Sequence, residues 1–110
     1  MDYELAKQLK NAGYPQVWND GVWFQYKRMR EPDIYTQDTE YGYPIRDTTK
    51  TEAIIIPTLS EIIEACGDDF LYLSRDAGRW DAKANTFIVS KMSSPEEAVA
   101  RLWLKIKAGE

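Results

Sequence analysis

The stretch from Ser93 to Lys107 restricts the fold more than any other part of the chain. Ser94 can accept hydrogen bonds from the first unpaired backbone N–H groups of a helix, and Pro95 follows at the first helical position, where a missing N–H costs nothing. Glu97 is placed to reach back and close a capping box, and Glu96 and Glu97 both face the positive end of the helix dipole. Ala98, Val99, Leu102, Trp103 and Ile106 then recur on one stripe, with Arg101, Lys105 and Lys107 off it. The spacing predicts a helix over 95–107. A helix with one apolar stripe has to press it against a second layer, and the middle of the chain offers strands for that layer.

Two further helices are legible. Asp2 can cap one running to about Ala12, with Leu5, Leu9 and Ala12 on a narrow face and Ala6 beside them. Gly13 and Pro15 end it, and Tyr14 can fold back on Leu9. Thr58-Leu59-Ser60-Glu61 is a second capping box, followed by Leu59, Ile62, Ile63 and Cys66 at helical spacing and by Gly67 as terminator.

The strands read as follows. Asn19-Asp20-Gly21 is a turn, and Val22 to Met29 alternates, with Val22, Phe24 and Tyr26 as the buried set. Glu52 to Ile56 is a β-branched run, expected as a central strand and ended by Pro57. Segments 70–75, 79–83 and 86–90 form a meander whose connections, Asp76-Ala77-Gly78 and Ala84-Asn85, are short enough to require antiparallel neighbours. From Glu31 to Thr51 no period survives, and a long loop is expected, with Tyr41 to Arg46 as a candidate edge strand or hairpin arm within it. The expectation is an α+β fold: one antiparallel sheet of four to five strands packed by two or three helices, in a single domain over 1–110. Helices gathered on one side would leave the other sheet face open and aromatic, with Trp23, Trp80 and some tyrosines on it.

Composition narrows the chemistry. The 110 residues include no histidine and one cysteine. That removes Ser-His-Asp and Cys-His catalysis, histidine-ligated zinc, four-thiolate zinc and an internal disulfide. Cys66 sits at an apolar helical position and reads as a small buried hydrophobe. None of the six glycines belongs to a phosphate-cradling loop, and Asp68-Asp69 lacks the spacing of a calcium loop. No metal, no cofactor and no catalytic residue are expected, so the chain reads as a non-enzyme. A net charge of −4 argues against broad binding to nucleic acid. No apolar run approaches the roughly 20 residues that span a bilayer. The chain begins Met1-Asp2-Tyr3-Glu4, without the basic and apolar regions of a leader, so a cytoplasmic location is expected.

Candidates for binding remain. Tyr35, Tyr41 and Tyr43 stand in a polar stretch, where tyrosines offer contact area at little entropic cost. Arg75 and Arg79 flank the Asp76-Ala77-Gly78 turn beside Trp80, a combination able to hold a phosphate, a nucleobase or an acidic protein patch.

Three blocks carry a resemblance: 5–16 (LAKQLKNAGYPQ), 56–68 (IPTLSEIIEACGD) and 94–104 (SPEEAVARLWL). Together they resemble small uncharacterised proteins of bacteriophages and prophages, and the last block is similar to the end of the phage alpha-beta-alpha sandwich domain. The resemblance implies a setting, a phage gene product in the bacterial cytoplasm, and brings no catalytic residues with it. The functional expectation is a non-enzymatic phage accessory protein that binds a host or phage protein, with inhibition of a defence system as one use. The alternatives are a sponge that sequesters a nucleotide signal through Arg75, Arg79 and Trp80, and a homo-oligomeric structural module.

Overall fold

Each helix starts where a side chain closes its first turn. The structure is a computed structural model and describes residues 1–27, 29–35 and 53–109. In it, Asp2 Oδ1 accepts from the Leu5 N–H at 2.8 Å and opens α1 (Tyr3–Asn11). Thr58 and Glu61 exchange both bonds of the predicted capping box and open α2 (Leu59–Cys66). Ser94 Oγ accepts from the Glu97 N–H at 3.1 Å and opens α3 (Pro95–Ala108). Here only half of the expected box forms. The Glu97 carboxylate takes the Ser93 hydroxyl at 2.8 Å and Arg101 Nε at 3.3 Å.

The strands are β1 (Trp23–Gln25), β2 (Asp33–Ile34), β3 (Ile54–Ile56), β4 (Phe70–Asp76), β5 (Arg79–Ala84) and β6 (Ile88–Met92), with a 3-10 turn at Gly67–Asp69. The contacts gather the chain into two compact units, Met1–Pro57 and Thr58–Glu110.

The first unit is an antiparallel sheet in the order β2-β1-β3 with α1 against β3. Ala6 of α1 packs with Ile54 and Ile56, and Met1 and Tyr3 close that cluster. The opposite face is aromatic. Phe24, Tyr35 and Ala53 are buried there with Trp18, Val22, Tyr26 and Met29 around them. The Trp18 and Tyr35 rings meet edge-on at 5.2 Å, and those of Phe24 and Tyr26 at 5.6 Å. Such pairs add about 0.5–1.5 kcal/mol each beyond the area they bury. Of the expected buried set, Phe24 is buried and Val22 and Tyr26 are partly so, while Gln25, expected on the other face, is buried as well, and the strand is short. It stops at Gln25 because Met29 N–H bonds back to the Tyr26 carbonyl and buried Gln25 donates Nε2 to the Met29 carbonyl.

β3 was expected at the centre of its sheet and lies at an edge. Its three isoleucines are all buried, which is what a β-branched run records; burial on both faces says nothing about pairing on both edges. Gln16 completes that edge as a strand would, accepting from the Ile55 N–H at 2.9 Å and donating to the Tyr14 carbonyl at 3.1 Å.

The second unit is the meander β4-β5-β6, antiparallel throughout, with α3 packed on β5 and β6 and α2 packed on α3. Ile62, Cys66, Ala82, Ala84, Val89, Ala98, Val99, Leu102 and Trp103 are buried on these elements.

The α+β class holds, with three helices among the described residues, but the single sheet of four to five strands does not. The strands divide into two antiparallel sheets of three. β4, β5 and β6 are joined by turns too short to admit another strand between them, and β3 finds its partner in β1. Strand propensity reports which segments extend, not which segments pair.

Candidate functional site

The tight turn between β4 and β5 sets the register of everything around it. Ala77 and Gly78 have φ of 51° and 77°, the two positive values that a type I′ hairpin turn requires. Asp76 and Arg79 are the flanking pair, and pairing continues through Arg75–Trp80, Ser74–Asp81, Leu73–Ala82 and Tyr72–Lys83. Beyond Tyr72 the ladder slips, with Phe70 opposite Ala84 and Leu71 as the extra residue. On the other side of β5, Val89 faces Ala82 and Ile88 faces Lys83.

Because successive side chains alternate between faces, two rows follow from this register. Leu73, Ala82 and Val89 share one row, and Ala82 and Val89 are buried. Tyr72, Lys83 and Ile88 share the other. Tyr72 is 45% exposed and Ile88 49% exposed, with Leu71 beside them at 50%. A face bearing these residues is the largest concentration of exposed apolar side chains on the described part of this unit.

The charges on this face are arranged unevenly. Arg79, Asp81 and Lys83 follow one another on the same side of β5. The Asp81 carboxylate is engaged: its Oδ1 accepts from the Lys91 N–H at 2.9 Å. That bond holds an irregularity in β6, where Trp80 and Ala82 face Met92 and Val89 and Lys91 takes a φ of 62°. Among the described residues the ion pair present joins Arg101 to Glu97 on α3, and Lys83 takes part in none. Half-buried Lys83 thus stands unpaired between an aromatic and an aliphatic side chain.

The residues singled out from the sequence fare differently. Arg75 and Trp80 are brought together as a cross-strand pair, with the guanidinium 5.8 Å from the ring centroid. Arg79 lies on the opposite strand face from Trp80, so the three do not converge. Tyr35, expected in a solvent-facing loop, is only 6% exposed. Its backbone bonds to Val22 and Gly21 fix it in the aromatic cluster, where its ring has little surface to offer a partner. Tyr41 and Tyr43 lie outside the described residues.

The other candidate chemistries are absorbed by structure. Burial pushes the Cys66 thiol up to about 11, far from a reactive thiolate at neutral pH. Asp69 ties the start of β4 to the next turn, its carbonyl accepting from the Asn85 N–H at 2.9 Å. Among the described residues no three His, Cys, Asp or Glu side chains gather as a metal site.

Sequence reasoning missed Tyr72, Lys83 and Ile88. A signal for the first two was present. Counting outward from Ala77-Gly78 in regular antiparallel register brings Tyr72 opposite Lys83. The place of Ile88 depends on the second turn and the irregularity in β6, which the residue types do not announce. Comparisons with protein-family models, with curated proteins and with solved structures found no match.

Proposed function

We propose that this chain is a non-catalytic accessory protein that binds another protein through the outer face of the β4-β5-β6 meander. One observation carries this reading: Tyr72 and Ile88 stand exposed on either side of a lysine with no ion pair among the described residues, on a sheet whose other face is packed by α3. Leaving two large apolar side chains half in water gains nothing for folding, whereas covering them on a partner does. Tyrosine beside aliphatic side chains is also the composition of interface centres. In the setting implied by the sequence resemblance, the partner is a host or phage protein of the bacterial cytoplasm, and a defence component is one such target.

The test is site-directed cross-linking. A photo-reactive phenylalanine analogue replaces Ile88 in one variant and Lys7, exposed on α1, in another, and both are exposed to bacterial lysate. The reading expects a discrete adduct from position 88 that is absent from position 7 and is lost when Tyr72→Asp is added. The same adducts from both positions, or none from position 88, would sink it.

A further inference from the structure

The spacing of the row defines what can cover it. Neighbouring strands lie about 4.8 Å apart, so Tyr72 and Ile88 are separated across β5 by about 10 Å, with Lys83 midway. The complementary surface is apolar, acidic, apolar, in a line crossing the strands. An extended peptide cannot present it: consecutive same-face residues are about 7 Å apart, and the residue between them points away. An α-helix can. Residues i and i+7 are about 10.5 Å apart on one face, and i+3 and i+4 lie between them on that same face.

We infer that the outer face of β4-β5-β6 takes an acidic amphipathic helix of a partner protein, with apolar residues at i and i+7 on Tyr72 and Ile88 and a carboxylate between them on Lys83. This rests on the protein-binding reading above and specifies its partner. Asp81, the next residue on this side of β5, turns its carboxylate to the Lys91 N–H, and Lys83 has no ion pair among the described residues, so the midpoint of the row offers a cation without a direct carboxylate contact there. Half burial beside Tyr72 and Ile88 strengthens its attraction for a carboxylate relative to a fully solvated lysine. A second copy of this chain does not supply the helix. The exposed large hydrophobics among the described residues are Val17, Trp23, Ile34, Leu71, Tyr72 and Ile88, and none belongs to α1, α2 or α3.

The experiment uses the full chain and two synthetic alanine-based helical peptides. Both carry leucine at i and i+7; one has glutamate at i+4 and the other lysine. Fluorescence anisotropy gives the affinities. The wild-type chain is expected to prefer the glutamate peptide by about fivefold, as for a partly exposed ion pair, and the preference shrinks as salt is raised. Lys83→Gln abolishes the preference and Lys83→Glu reverses it. Ile88→Ala weakens both peptides about equally, by roughly fivefold. Circular dichroism checks that each variant is folded, and Lys83→Gln serves if Lys83→Glu is not. Equal affinity for the two peptides, a preference that survives Lys83→Gln, or failure of the glutamate peptide to bind overturns the inference. If position 88 still cross-links to a protein in that case, the binding reading stands and only the helical, acidic partner falls. If no adduct forms, both fall.

Discussion

The turn that sets the register of the candidate face is built on a strained residue, and this makes a stability prediction with a definite sign. Ala77 takes a φ of 51°, where the Cβ of an L-residue crowds its own backbone at a cost of about 1–2 kcal/mol. Asparagine tolerates this region because its short polar side chain bonds locally, and Asn-Gly is the favoured pair for such a turn. Ala77 is exposed, so replacing it removes no packing that would confuse the outcome. Ala77→Asn should therefore stabilise the second unit by about 1 kcal/mol. Ala77→Gly relieves the same strain but adds freedom to the unfolded chain worth about 0.4–1 kcal/mol, so its net gain should be about 0–1.6 kcal/mol. Ala77→Val should destabilise by about 1 kcal/mol or more, since a branched Cβ is excluded from this region. Urea unfolding measures the series. With slopes of about 1–3 kcal/mol/M, the asparagine variant should move the midpoint upward by about 0.3–1 M without a change of slope. An asparagine variant that is neutral or less stable, or a valine variant that is not destabilised, would refute the turn geometry and with it the register that places Tyr72 beside Lys83.

Three other outcomes follow from the packing. The Ser93 hydroxyl, and after it Arg101, hold the Glu97 carboxyl below its ordinary 4.5, although partial burial opposes them. A folded value below the unfolded one means that the unfolded chain binds more protons, so this stabilisation is present above the ordinary value and is lost as pH falls through the folded one. Glu97→Gln should flatten the acid limb of the stability-against-pH curve, and an unchanged limb counts against these contacts. Cys66, buried with its thiol pushed up to about 11, should resist a thiol reagent at pH 8 in the native protein and react at once in urea; equal rates would contradict its placement. Gln16→Leu strands the Ile55 N–H at the edge of β3 and should cost about 1–3 kcal/mol, read as faster amide exchange at Ile55 than in the parent.

Local chemistry was legible wherever one residue acts on its near neighbours. Asp2, Thr58 and Ser94 cap helices as their types and positions imply, and Pro57, Gly67 and Gly78 stop or turn the chain where they stand. The meander could be read because its turns leave no choice of partner. Tyr35 was misread because its surroundings in sequence are polar, while its packing partners, Trp18, Phe24 and Ala53, come from elsewhere in the chain. Gln25 and Gln16 look like surface residues by type. They are structural because two backbone groups, the Met29 carbonyl and the Ile55 N–H, needed partners only after the chain had folded.

The amino-acid order by itself determined the helices, their caps, the three strands of the meander and the exclusion of histidine and multi-cysteine chemistry, because these depend on residue identity and on interactions a few positions apart; β2 falls inside the stretch expected as a loop, and β1 is much shorter than the run expected from Val22 to Met29. The tertiary structure alone decided that the six described strands make two sheets instead of one, and that β3 lies at an edge among them. It also decided that Lys83 stands in line between Tyr72 and Ile88. Pairing register is a long-range choice: one residue of slip, as at Leu71, moves a side chain to the other face, and no local preference of the chain records it.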